Sequence, residues 1–325
     1  MEIEFREAIR SALDEELERD ESVIFFGEDV AAAGGVFAAT PGLYEKYGPD
    51  RVFDTPISEL AMTGAAFGAA VTGKRPVLEI MFGDFLPLSM DTLINQATKY
   101  WFLTGERQSV PLVIRSVVGA GGRFGAIHSQ MPASWLTGIP GLKIVAPSTP
   151  ADAKGLLKAA IRDDNPVLFF EGMSLSHSRR AEVPVGDYIV PIGPARLTRT
   201  GSDVTVVAIG SMVPVALQAA DALIAEGVEA EIIDLRALAP WDAEMVVASV
   251  RKTGRLVTAH EAWVAGGIGA EIVAVVAERA ARDLRAPVVR VGAAPVPIPS
   301  GPLRKHALPH VDDVRRAILT TLSAK

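Results

Sequence analysis

The chain has 325 residues, 49% apolar and 22% charged, with a formal net charge of −7 and no cysteine. That length carries two ordinary domains or one large core, and that composition excludes long disorder. Without cysteine there is no disulfide framework, thiolate zinc site or cysteine nucleophile, and without a basic block there is no nucleic-acid footprint.

Residues 4–20 have helical periodicity, with Phe5, Ile9, Leu13 and Leu17 on one face. Residues 23–26 read as a short buried strand ending in Gly27-Glu28-Asp29, and 31–39 as a loop. A short helix at 43–47 and a strand at 52–53 precede a helix over 58–71 with Glu59 at its start. Then come a strand at 76–80, a long helix at 86–104, a strand at 111–115 and a glycine-rich loop at 119–125. A strand at 142–146 leads to a helix at 149–161, whose first turn holds Asp152 where the helix dipole favours an acid, and to a strand at 166–170. Residues 179–202, rich in Pro, Gly and charge, read as an ordered linker with one or two short strands. A second unit follows, with strands at 204–209, 230–234, 255–258 and 287–291 and helices at 213–226, 242–252 and 267–281. Residues 292–302 hold four prolines and read as turn, and 308–322 as a closing helix. Alternating helices and strands that are apolar on both faces predict an α/β fold with mostly parallel sheets. The first twenty residues are acidic and lack the apolar core of a secretory signal, and 60–73 is too short and glycine-rich to span a bilayer. A cytoplasmic protein with no membrane association is expected.

Three sequence features bear on chemistry. Glu59 enters a nearly uncharged helix, and Met81, Phe82 and Phe85 cluster just past a strand. An acid beside a flat apolar wall suits a small heteroaromatic ring; the bland readings are a dipole-favoured acid and ordinary core packing. The loop from Gly119 to Gly125 lacks the dinucleotide spacing and its ribose-binding acid, so it is either a structural turn or a pocket loop leading to His128. There is no Walker A sequence and no GDG…N segment for Mg²⁺ and diphosphate; Asp187, in VGDYI, does not supply one. No His/Asp/Glu spacing suggests zinc.

The ordered set GEDV (27–30), GLYEKYGPDRVFDTPISE (42–59), PVLEIMFGDF (76–85), HSQ (128–130), PGLKIVAPSTPADAKGLLKAAIRDDNPVLFFE (140–171), GSDVTVVAIGSM (201–212), IDLRALAPWD (233–242), SVRKTGRLVTAHEA (249–262) and GIGAEI (267–272) covers most of the chain. It resembles the β subunit of the E1 component of thiamine-diphosphate-dependent 2-oxo acid dehydrogenases, which act on pyruvate, branched-chain 2-oxo acids or acetoin. The resemblance implies a transketolase-like pyrimidine-binding domain over 1–180, a linker over 181–202 and a transketolase C-terminal-type α/β domain over 203–325. It also implies an α2β2 heterotetramer in which an E1 α subunit supplies the contacts to Mg²⁺ and diphosphate, a division of labour that the missing GDG segment fits. The expected reaction is decarboxylation of a 2-oxo acid, followed by acyl transfer to a lipoylated E2 acyltransferase.

By the same resemblance, Glu59 is the cofactor-activating glutamate, bonded to N1′ of the aminopyrimidine so that the 4′-imine takes the C2 proton. Ile57, Met81, Phe82 and Phe85 would pack around that ring, with Phe85 foremost and Phe82 equally readable as core. Glu28 would sit near the cofactor, and His128 would serve proton transfer or acyl transfer. Ala160, Ile161, Asp163 and Asn165 resemble a loop that holds structural K⁺ through carbonyls in some relatives; a solvated turn is an equal reading. His260-Glu261 reads as structural. The chain departs from the family pattern at Met131–Trp135, where a glutamate after HSQ is missing, at Leu175-Ser176-His177, and at Arg304, where an acid is common. Alternatives are an acetoin dehydrogenase β subunit, a self-contained thiamine enzyme, and a non-catalytic scaffold that binds an α subunit.

Overall fold

A computed structural model describes residues 2–121, 124–177 and 180–324. The chain forms two compact units, one of residues up to Val118 with Leu136–Ile192, the other of Gly119–Trp135 with residues from Gly193 onward.

In the first unit, strands β1 (Val23–Gly27), β2 (Val52–Asp54), β3 (Arg75–Phe82), β4 (Val113–Val118), β5 (Lys143–Val145) and β6 (Val167–Gly172) lie in the order β5-β6-β4-β3-β1-β2. Every pairing among them is parallel. β1, β4 and β6 are buried along their whole length, as strands covered on both faces must be. The helix Phe5–Arg19 buries Phe5, Ile9, Leu13 and Leu17, the predicted face, together with Glu16. Glu16 accepts from the Arg162 guanidinium at 2.6 and 3.0 Å, tying this helix to the helix Pro150–Arg162. Buried Arg115 of β4 bridges its neighbours: Nε donates to Glu171 of β6 at 2.7 Å and Nη1 to Glu79 of β3 at 2.9 Å.

The connections fix where a ligand can bind. From β1 the chain runs to β2 on one side, and from β3 to β4 on the other. The carboxyl ends of adjacent β1 and β3 therefore flank a topological switch point, the usual crevice of an open parallel sheet.

In the second unit, β7 (Arg196–Arg199), β8 (Val204–Ala208), β9 (Ala230–Asp234), β10 (Leu256–Trp263) and β11 (Val289–Ala293) lie in the order β11-β10-β8-β9-β7, parallel except for edge strand β7. Val206, Ile232 and Val257 pack there against Val213 and Ala216 of helix Met212–Leu223 and Ile318 of helix Val311–Ser323.

The predicted long helix at 86–104 is present with an interruption. Leu86–Met90 is α-helical, Asp91–Ala97 widens into π-helical turns, and Thr98–Leu103 is α-helical again. The linker carries two short strands, Ala181–Glu182 and β7. Among the described residues no helix is long and apolar enough to cross a membrane.

Candidate active site

The switch point of the first unit gathers most of the predicted residues. Glu28 directly follows β1 and is buried. Its neighbour Asp29 has φ 56°, a left-handed conformation that costs a non-glycine residue energy and marks a fixed turn. The turn is held by Gly35 N–H donating to the Asp29 carbonyl at 2.9 Å and Ala31 N–H donating to Asp54 Oδ1 at 2.8 Å.

Glu59 is the first residue of helix Glu59–Val71 and is also buried, at 6% exposure. The buried positions Glu59, Met62, Thr63, Ala66 and Ala70 make one helical face. Thr63 Oγ1 donates to the Glu59 carbonyl at 2.7 Å and lies 2.8 Å from Ser89 Oγ, which reaches the same carbonyl at 3.4 Å, so two buried hydroxyls pin the backbone of Glu59. Burial foremost, then the charges of Glu59 and Asp29, push the Glu28 carboxyl above the usual carboxylate range.

The apolar wall stands at the end of β3. Phe82, the last residue of that strand, is buried and packs edge-on against Phe85 at 5.7 Å and Phe37 at 5.4 Å between ring centroids. Partly buried Met81 and Phe85 pack against the same cluster of Phe82, Val117 and Met173. Phe82 thus lies in the core beneath Phe85, while Phe85 keeps accessible surface. Ile57 is 83% exposed, so within this chain it closes no pocket.

His128 belongs to the second unit. It is half-buried, its N–H donates to the Gly125 carbonyl at 3.0 Å, and its ring lies 5.9 Å from that of Phe124. The next residue, Ser129, is buried. Gly122 and Arg123 of the preceding loop lie outside the described residues.

The chain matches two families in sequence: residues 1–177 match the pyrimidine-binding domain of transketolase, and residues 193–314 its C-terminal domain. It is 47% identical over 320 residues to the pyruvate dehydrogenase E1 component subunit beta-2, mitochondrial, of Oryza sativa subsp. japonica, covering 97% of this chain and 85% of that one. It is 48% identical over 305 residues to the acetoin:2,6-dichlorophenolindophenol oxidoreductase subunit beta of Cupriavidus necator, covering 91% of this chain and 90% of that one. The chain belongs to the E1 β-subunit family of thiamine-diphosphate-dependent 2-oxo acid dehydrogenases. A solved structure described as a split gene transketolase, inactive beta4 tetramer, superposes with TM-score 0.82 at 28% identity, covering 99% of each chain. This E1 β chain therefore has the predicted fold, a transketolase-like pyrimidine-binding domain followed by a transketolase C-terminal domain, and is an enzyme subunit.

The residues of the potassium expectation lie at and just after the C-terminal end of helix Pro150–Arg162. Arg75 Nη1 donates to the carbonyls of Ile161 and Asp163, each at 3.0 Å. The Ala160 carbonyl accepts from Asp163 N–H at 3.2 Å, and Asn165 N–H donates to Asp163 Oδ1 at 2.9 Å. Lys143 pairs with Asp163 and Arg75 with Asp164. Positive charge at this helix end thus comes from side chains of the E1 β chain itself. Among the described residues no group of three or more His, Cys, Asp or Glu is placed to hold a metal.

Sequence reasoning missed Thr63, Ser89 and Phe37. Thr63 sits one helical turn after Glu59, a spacing that could have exposed its role. Ser89 and Phe37 meet the site only through tertiary packing and leave no local signal.

Proposed function

We propose that this chain is the β half of a 2-oxo acid dehydrogenase E1 component. With an α subunit in an α2β2 assembly, it decarboxylates pyruvate or a branched-chain 2-oxo acid and passes the acyl group to a lipoylated E2 acyltransferase. The observation that carries this reading is the pair of buried acids, Glu28 and Glu59, beside the Phe82–Phe85 wall at a switch point.

These residues fit the aminopyrimidine half of thiamine diphosphate. A buried carboxylate at a pinned helix start suits a ring nitrogen that carries a proton, and the exposed part of Phe85 suits a flat neutral ring. In this reading the α subunit supplies the contacts to Mg²⁺ and the diphosphate. When bound, the cofactor supplies an electron sink for the pair released as CO₂ leaves.

In this reading Glu59 holds the proton at the ring nitrogen and sets the tautomer. Glu28, which binds a proton more tightly than an ordinary carboxyl, exchanges protons with that site. Met81 and Phe85 exclude water on one side of the ring. Ile57, exposed here, covers the ring only in the assembled complex. His128 donates or holds a proton during acyl transfer to the lipoyl arm.

The test is CO₂ release by this chain co-purified with its α subunit, with thiamine diphosphate, Mg²⁺ and a dye acceptor, comparing pyruvate, branched-chain 2-oxo acids and acetoin. Turnover that needs both chains supports the reading and names the substrate. A second reading, acetoin cleavage, is favoured by the 48% identity to the Cupriavidus necator subunit and predicts turnover on acetoin alone. A cofactor-loaded complex silent on all three would leave a scaffold.

A further inference from the structure

The segment that carries His128 is fastened at three places within the second unit. Gly119 N–H donates to the Gln130 carbonyl at 2.8 Å, closing the base of the loop two residues past His128. Ala120 packs into a small apolar cluster with Ala293, Ile298 and Ala307. The third fastening is polar and belongs to Glu261 of β10.

The Glu261 carboxylate accepts a hydrogen bond from Ala120 N–H and another from the Ser211 hydroxyl. It also lies within electrostatic reach of Arg304. Burial pushes this carboxyl above the usual carboxylate range, while Ser211, Ala120 and Arg304 pull it back. The fit against the loop is close: Gly119 has φ +77°, and a side chain there would collide with Oε2 of Glu261. A half-buried acid turned onto a glycine backbone is poor packing but strong fixation, because hydrogen bonds to a charged group are among the stronger ones. Neither Glu261 nor Arg304 has a part in the proposed chemistry.

We infer that Glu261 is a positioning residue for acyl transfer: through Ala120 N–H, with Ser211 orienting its carboxylate, it holds Gly119 and Ala120, where Gly119 N–H binds the Gln130 carbonyl, so that nearby His128 is presented in one geometry. The inference rests on the reading of His128 given above. Arg304 balances the charge of Glu261, which gives a use to a basic residue at a position where acids are common.

The test uses the α–β complex carrying Glu261→Leu, Glu261→Gln or His128→Ala. Two readouts are needed: amide hydrogen exchange of the 119–130 peptide, and the rate of lipoyl-domain acylation relative to dye-linked decarboxylation. Loss of a hydrogen bond to a charged group corresponds to about tenfold. Glu261→Leu is expected to speed exchange at Ala120 by about tenfold and to slow lipoyl acylation by about tenfold, with dye-linked decarboxylation within about threefold of the parent. Glu261→Gln keeps an acceptor for Ala120 N–H and is expected to recover most of both. Unchanged exchange in Glu261→Leu overturns the inference. Faster exchange with acylation intact in both Glu261→Leu and His128→Ala keeps the fastening but removes His128 from the reaction, a separate failure. If Glu261→Leu does not assemble, Ser211→Ala serves instead; it should shift both readouts the same way by a smaller factor, and no shift overturns the inference.

Discussion

Glu28 and Glu59 come to one buried place from two different strand–helix connections, and burial, then the charge of Glu59, raises the Glu28 carboxyl above the usual carboxylate range. Their environments differ: Glu28 sits on a strained turn after β1, whereas Glu59 begins a helix whose backbone is fixed by Thr63 and Ser89. That asymmetry gives Glu28 a tighter hold on a proton and Glu59 a fixed backbone.

Glu59→Gln keeps size and burial but replaces the carboxylate. Assembly with the α subunit should be unchanged, and decarboxylation should fall by about a hundredfold or more, the usual scale for a lost proton-handling group. Near-parent turnover in a dye-coupled assay would remove Glu59 from the chemistry.

The raised Glu28 carboxyl has a signed effect on stability. The native chain holds this proton more tightly than the unfolded chain does, so its stabilising contribution is complete below the unfolded value and is lost as pH rises through the raised one. Glu28→Gln mimics the protonated form at every pH. Its unfolding midpoint should therefore gain on the parent between about pH 5 and pH 8. Equal differences at both pH values would contradict this.

His128→Ala should lower lipoyl acylation at least as much as dye-linked decarboxylation, with a loss of about a hundredfold in acylation. The two rates are measured on one preparation, so misfolding would lower both together. Unchanged acylation would assign His128 a structural place only.

Arg115 joins Glu79 and Glu171 across three neighbouring strands, and all three are buried. Arg115→Met strands two acids without a partner and should cost about 3–5 kcal/mol in chemical unfolding. Adding Glu79→Gln and Glu171→Gln should return much of that loss, because neutral amides carry a smaller desolvation penalty. A loss below about 1 kcal/mol for Arg115→Met would mean the triad is dispensable.

Most of the fold was legible because its signals are local. The helix over Phe5–Arg19 follows its apolar periodicity, and β9 falls on the predicted residues 230–234. β10, predicted at 255–258, extends to Trp263, because His260-Glu261 reads as polar in sequence yet continues the strand. Polar residues inside a strand defeat a hydrophobicity pattern. The π-helical stretch Asp91–Ala97 was invisible for another reason, since its residues suit an α-helix equally well. At the site, the sequence places Glu59 at a helix start and Phe85 just past a strand, as the structure has them, whereas it says nothing of the 83% exposure of Ile57 in this chain. Its place depends on what covers it.

The parallel register of β1 with β3 pairs Val23 with Arg75 and Gly27 with Glu79, and Glu28 takes its position from the end of that ladder. Such pairings join segments far apart in sequence, so loop entropy must be overcome before the contact gives anything back. Neither acid has its environment while the chain is still being threaded together. Recognition of the cofactor ring is thus a late event in the life of each molecule, and a newly made chain is blind to it until the middle of its first sheet has closed.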